Sequence, residues 1–405
     1  MAVDTAKNRQ DVGELNQIIV YGQSLAAGAT GLPLLPPAAV AEHQTYAGGT
    51  RGGVRGAQNF SAAKPLEEDA LNPAPDGMDN RGETVCSGSA SYVSALALRE
   101  KGIDPAAHPL FISSAGKSGA CISELQKGSV WYREQFMQHL RGICAFSPRR
   151  ALRAIFWLQG ETNSDGRETA GTAEEYTAAL RQLREDISAE ARAVHGQTAP
   201  VPFIVYQHST NIKTNPNTAR SFFRLVCDED SQFSFSAPTY LFPHAEDGLH
   251  LTAEGYRWLG CYFGRAYKQQ VLDGIRPRFI RPLSLHVDGG TVRITFSVPQ
   301  PPLVLDNINL APAKDYGFSA YQNGRRLALR AVSIEDGDTV VLQTAENSLT
   351  DVTVKYAMDE LGEGLNIQAG ASGNLRDSTT DMVDIAGRER PMFYLCPHFE
   401  LGGAE

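Results

Sequence analysis

Short, strongly apolar runs alternating with helical patterns constrain the fold of this chain more than any other feature. Residues 17–21, QIIVY, are apolar and β-branched and stop at Gly22, so they read as a buried strand closed by a tight turn. Comparable runs begin at Pro109 (PLFISS), Ala154 (AIFWLQ) and Val201 (VPFIVYQ). Between them, residues 90–101 are rich in Ala and Leu, and residues 172–194 place Tyr176, Leu180, Leu183 and Ile187 at three- and four-residue spacing. Strands alternating with helices imply an α/β unit with a parallel sheet.

Two stretches break the rhythm. Residues 26–83 are rich in Gly, Pro and Ala (GLPLLPP, YAGGTRGGVRG) and read as one long loop directly after Ser24, a cover over a site or a surface excursion. Beyond RPRFIRP the helical patterns stop. Short alternating stretches (LSLHVDGG, TVRITFSV, AVSIEDGDTVVLQT, DVTVKYAM) punctuated by Gly, Asp and Asn follow, the pattern of an antiparallel β-sandwich. A chain of 405 residues exceeds one comfortable core, so the expected division is an α/β domain over 1–278 and a small β-sandwich over 279–405.

Charge and cysteine usage exclude several partners. The formal charge of -9 leaves no basic footprint for phosphates, so nucleic acid is not an expected partner. No apolar run approaches the roughly 18 residues of a membrane helix, and the opening residues MAVDTAKNRQDVGELNQ lack the layout of a secretory signal. A soluble protein is expected, in the cytoplasm or exported without such a signal as a phage-tail or extracellular component. Cys86, Cys121, Cys144, Cys227, Cys261 and Cys396 lie far apart with no C-x-x-C, and read as thiols, not as a disulfide framework or zinc site.

Three polar clusters follow strands or precede a helix. Gly22-Gln23-Ser24-Leu25-Ala26 puts a hydroxyl on a turn at the carboxyl end of the first strand, where open α/β sheets bind ligands. It departs from the G-x-S-x-G elbow because Ala26 replaces the second Gly. Asp247-Gly248-Leu249-His250 precedes a helix capped by Thr252, and the three-residue spacing lets the carboxylate orient the imidazole as a general base requires. Trp157-Leu158-Gln159-Gly160-Glu161-Thr162-Asn163 brings side-chain amides to a third turn, where they can donate to a developing oxyanion. Each cluster alone also reads as ordinary turn chemistry.

Taken in order, GQSLA, SSAGKSGA, WLQGETN and DGLHLTAEGY resemble the blocks of the SGNH hydrolases. More narrowly they resemble the branch that includes sialate O-acetylesterases and related carbohydrate acetylesterases, over residues 17–270. The resemblance implies a three-layer α/β/α, flavodoxin-like domain and an esterase without metal or organic cofactor, acting on an acetylated sugar or polysaccharide. It implies Ser24 as nucleophile, His250 as base and Asp247 as its orienting acid. The oxyanion hole would combine the Ser24 N–H, Gly119 (with Gly116 as the alternative) and an amide from Gln159 or Asn163, Gln159 being preferred. Gln23 and Glu161 would support the site, with Glu161 accepting hydrogen bonds from the GQS turn. Other readings are a lipase or thioesterase of the same superfamily, a glycosidase pairing Glu161 with Asp165 or Asp247, and a non-catalytic carbohydrate-binding or phage-tail protein. His208 and His244 could line the pocket or be satisfied structural groups, and Tyr316, Phe318 and Tyr321 could stack on a glycan or belong to the core.

Overall fold

The computed structural model describes residues 14–38, 42–71, 81–166, 171–229 and 231–402. Most of the opening segment read for a secretory signal lies outside the described residues, as does part of the 26–83 stretch. Seven strands form one sheet: β1 (Leu15–Gly22), β2 (Gln44–Tyr46), β3 (Ala63–Pro65), β4 (Leu110–Ser114), β5 (Arg150–Leu158), β6 (Phe203–Gln207) and β7 (Phe233–Pro238). Their order across the sheet is β3-β2-β4-β1-β5-β6-β7. Every pairing from β4 to β7 is parallel. The chain leaves β1 in one direction for β4 and returns past it for β5, so the topological switch point, where such sheets open a crevice at their carboxyl edge, lies at β1 and β5.

Helices cover both faces. They are α1 (Val85–Lys101), α2 (Met137–Gly142), α3 (Glu161–Ser164), α4 (Ala173–His195), α5 (Asn217–Cys227) and α6 (Ala253–Tyr267). Alternation along the strands divides the core in two. Ile18, Val20, Phe156 and Ile204 pack with α1 and α6, whereas Ile19, Tyr21, Ile155, Trp157 and Val205 pack with α4 and α5. A sheet buried on both faces explains why its strands read as continuous apolar runs. The periodic residues Tyr176, Leu180, Leu183 and Ile187 are all fully buried. Thr172 closes the start of α4 in a reciprocal capping box with Glu175.

Two sequence expectations need correction. The stretch over 26–83 is not all loop: β2 and β3 extend the sheet past β4, which gives the backbone groups of that edge a partner. Tyr46 of β2 anchors this extension, fully buried with edge-on contacts to Phe60 and Phe111. The sequence reading also missed β7, FSFSAP, whose alternation suggests a strand with one wet face. Ser234 and Ser236 are nevertheless buried, because their hydroxyls donate to Gln270 Oε1 and Val205 O.

Past residue 280 the chain is antiparallel. One four-stranded sheet comprises Arg281–Asp288, Thr291–Ser297, Leu329–Glu335 and Thr339–Thr344. A second comprises Phe318–Gln322, Arg325–Arg326, Val352–Tyr356 and Phe399–Gly402. Val292, Ile294, Val340 and Leu342 of the first share a core with Phe318, Val354, Tyr356 and Phe399 of the second. Phe318 is therefore core and unavailable to a glycan, while Tyr321 donates its hydroxyl to Asp359 at 2.8 Å. All six cysteines are free thiols.

The Phe156 ring, stacked on Phe263 at 4.9 Å, has no solvent exposure and fastens the sheet to α6. Phe156→Ala should lower unfolding free energy by about 3–5 kcal/mol. Denaturant titration checks this: the midpoint should fall while the slope holds.

Candidate active site

β1 and β5 run out side by side, with Gly22 paired to Leu158. Both turns that follow depend on a glycine. At Gly22 (φ +149°) a Cβ would come within 1.9 Å of Leu158 O, and at Gly160 (φ +150°) within 2.7 Å of His208 Cδ2. Freed from side chains there, the backbone turns sharply and delivers polar residues to the sheet edge, Gln23 and Ser24 after β1 and α3 after β5.

Gln23 ties the two turns together. Its N–H donates to Leu158 O at 2.8 Å, and its Oε1 accepts from the Gly160 and Thr162 N–H groups at 3.3 and 3.1 Å. Backbone N–H groups at a helix start lack intrahelical acceptors, so an amide oxygen is the partner they need. This reverses the expectation that Glu161 accepts from the GQS turn. Glu161 Oε1 accepts the Tyr206 hydroxyl at 2.5 Å instead, and its Oε2 is buried with no partner among the described residues. Burial pushes the Glu161 carboxyl up to about 7, against the opposing hydrogen bond from Tyr206.

Ser24 and His250 meet across the edge, although 226 positions separate them. His250 Nε2 lies 2.7 Å from Ser24 Oγ, and its Nδ1 lies 2.6 Å from Asp247 Oδ2. The carboxylate requires the proton on Nδ1, which leaves Nε2 as acceptor for the Ser24 hydroxyl. Asp247 Oδ1 accepts the N–H groups of Leu249 and His250, both at 2.9 Å. Burial raises the Asp247 pKa, yet the hydrogen bonds from the His250 ring and from these two N–H groups outweigh it and hold the carboxyl well below the usual range. Beyond the turn, Thr252 caps α6, and Tyr256 of that helix donates its hydroxyl to Ala29 O at 2.8 Å. Thr30 Oγ1 donates to Leu251 O at 2.9 Å. The segment after Ser24 is thus fastened to the segment after His250.

Both amides of the third turn are buried, and their bonding separates them. Gln159 Nε2 donates to Ala120 O and to Asn163 Oδ1, at 3.2 and 2.7 Å, while Gln159 Oε1 accepts the Tyr176 hydroxyl. The preferred donor of the sequence reading is therefore already engaged by the protein. Asn163 Oδ1 accepts from the Ile122 N–H and from Gln159, which fixes the orientation of its amide, and Asn163 Nδ2 is buried without a partner among the described residues. Gly119, the choice of the sequence reading in the second block, is exposed on its turn. Gly116 is the buried member of that block, packed against the Ser24 turn so closely that a Cβ would come within 2.4 Å of Ala27 N.

Residues 15–269 match the family described as carbohydrate esterase, sialic acid-specific acetylesterase. The chain belongs to this family. Its chemistry is therefore carboxylic ester hydrolysis, with acetylated carbohydrate as the substrate class. No curated protein sequence matches the chain. Among solved structures, a carbohydrate acetylesterase from Xanthomonas citri is similar with a TM-score of 0.52 at 14% identity, over 90% of this chain and 81% of its own. A protein from Arabidopsis thaliana is similar at 18% identity and TM-score 0.45, over 63% of this chain and 98% of that one. NanS is similar at 14% identity and TM-score 0.45, over 64% and 98%. The first of these likenesses bears on the fold, and coverage of 90% carries it past the family segment into the C-terminal sheets.

Of the other histidines of interest, His208 has partners on both ring nitrogens and His244 has a backbone partner on one. His208 contacts Thr210 O through Nδ1 at 2.9 Å and Thr218 Oγ1 through Nε2 at 2.5 Å, and His244 Nδ1 contacts Phe242 O at 2.9 Å. The roles of Tyr176 and Tyr206 in positioning Gln159 and Glu161 escaped the sequence reading, because their own segments show only helix and strand patterns. Their hydroxyls become informative once the fold brings them to the third turn.

Glu161 should make stability depend on pH. Its carboxyl titrates at about 7 when folded against an ordinary 4.5, so the folded state holds the extra proton and stability falls as pH rises between these values. The slope approaches about 1.4 kcal/mol per pH unit. Glu161→Gln should flatten that part of the profile, measured by urea unfolding at intervals across it.

Proposed function

We propose that this esterase removes O-acetyl groups from a carbohydrate through an acyl-serine intermediate. The unbroken hydrogen-bond chain from Asp247 through His250 to Ser24 carries this reading. Ser24 Oγ attacks the acetyl carbonyl while His250 Nε2 takes its proton, and the imidazolium that forms is stabilised by Asp247. His250 then returns the proton to the departing sugar hydroxyl. Water, deprotonated by His250 in turn, attacks the acetyl-Ser24 carbonyl and releases acetate.

The tetrahedral oxygen needs donors that spend nothing on the resting protein. Asn163 Nδ2 fits that requirement, since it is buried and has no partner among the described residues, on the turn that Gln23 ties to Ser24. We assign it the side-chain place in the oxyanion hole, with the backbone N–H groups of Ser24 and Gly116 beside it. Gln159 holds Asn163 in orientation, and Glu161 braces the same turn. The proposed catalytic unit is residues 1–278 in a three-layer α/β/α arrangement of the SGNH type, followed by a β-sandwich over 279–405. The core shared by the two C-terminal sheets supports that division, although Tyr240 joins that core and Ile385 and Met392 pack into the α/β core.

The substrate proposal rests on the family, and acetylated sialic acid belongs among the first sugars tested. Acetate should be released from at least one member of a panel of acetylated glycans, and p-nitrophenyl acetate should be cleaved faster than its long-chain homologues. Long-chain preference with no glycan deacetylated would contradict the carbohydrate reading. Ser24→Ala should lower kcat by roughly 10⁴-fold or more. Asn163→Ala should lower kcat by roughly 10²–10³-fold with KM little changed. Gln159→Ala should act through Asn163 and cost less.

A further inference from the structure

The turn that carries Asp247 and His250 is gripped from outside the family-matched segment. Asn366 Nδ2 donates to two consecutive carbonyls of that turn, Ala245 O at 2.9 Å and Glu246 O at 3.1 Å. Two residues on, the Gln368 N–H donates to Gly248 O at 2.8 Å. Three carbonyls flanking the Asp247 side chain are therefore bonded to one short C-terminal segment. The family match ends at residue 269, almost a hundred positions earlier.

That segment is itself firmly seated. Ile367, between the two donors, is buried in the C-terminal core. On its far side the Asn211 N–H donates to Gln368 O and the Lys213 N–H to Ala369 O, at 2.9 and 3.1 Å. Ala371 packs with Ile212, Ala219 and Met358. Residues 366–371 thus bridge the loop after β6 and the turn bearing the triad histidine.

The turn needs such support. Glu246 and Asp247 are exposed; the turn's backbone ties are Ala245 N–H to His250 O at 2.8 Å and Gly248 N–H to Ala245 O at 3.0 Å, besides the three bonds from Leu249 and His250 to the Asp247 carboxylate. Water could satisfy the same carbonyls without fixing where they point. An amide on a rigid support satisfies them and also sets the direction of the Asp247 carboxylate, on which the imidazole orientation depends.

We propose that Asn366 is a positioning residue for the esterase reaction: the C-terminal domain, through Asn366 and the Gln368 N–H, holds the Asp247–His250 turn in register with Ser24. This rests on the triad reading above. It predicts that full activity requires the docked C-terminal segment even though that segment supplies no reacting atom.

The test uses the full chain with Asn366→Ala and Asn366→Leu, the latter keeping bulk while removing both donors. Competent sites are counted with a fluorophosphonate probe, so that kcat for p-nitrophenyl acetate is expressed per reactive serine. Both variants should lose about tenfold in kcat with KM changed by less than about twofold. The acidic limb of the kcat/KM profile should move to lower pH, because a misaligned Asp247 stabilises the imidazolium less. Unchanged kcat and an unchanged limb in both variants would overturn the proposal. So would a loss confined to the number of titrated sites, which is what a merely structural contact gives. Wild-type protein that fails to label at Ser24, or Ser24→Ala that stays active, would instead remove the triad reading beneath it.

Discussion

The site exists because β1 lies against β5, and Gln23 makes that pairing specific at its end. Parallel register alone brings two chain exits together at the carboxyl edge. The Gln23 amide then converts proximity into fixed geometry, by accepting from the buried N–H groups at the start of α3 that lack intrahelical acceptors. A displacement of either turn would separate Ser24 from the amides of the third cluster. The tight approaches at Gly22 and Gly160 are the backbone cost of holding both turns so close.

Polar groups around this edge form a graded set. Gln159 is fully engaged, Asp247 is tied by three donors, and Glu161 and Asn163 each keep one buried atom without a partner among the described residues. Unpaired buried atoms cost stability, and these two lie at the turn beside Ser24. In Asn163 the atom is a donor, suited to charge that appears only during reaction. In Glu161 it is a carboxyl oxygen, and burial pushes the pKa of that carboxyl up to about 7.

Much of this was legible in the sequence, for physical reasons. Strands covered on both faces leave unbroken apolar runs, and the α4 stripe ending in buried Tyr176, Leu180, Leu183 and Ile187 has a clear helical period. Ser24, Asp247 and His250 were visible because local turn chemistry accompanies each of them. Choices that depend on who bonds to whom were not visible. Gln159 looks as good a donor as Asn163 until Tyr176, Ala120 and Asn163 itself occupy it. Gly116 and Gly119 differ only in which of them the fold buries against Ala27. β7 was hidden by serines whose burial is balanced by partners distant in sequence. Asn366 carries no local pattern at all, since its meaning arises from a contact across 121 positions.

The central claim is that the acetyl group passes through Ser24 Oγ. Rapid quenching of the enzyme during turnover of an acetylated substrate, followed by peptide mapping, tests it directly. The account predicts a transient acetyl adduct on Ser24 that rises and decays within a turnover. Acetate release with no adduct at Ser24, or an adduct on a different residue, would contradict it.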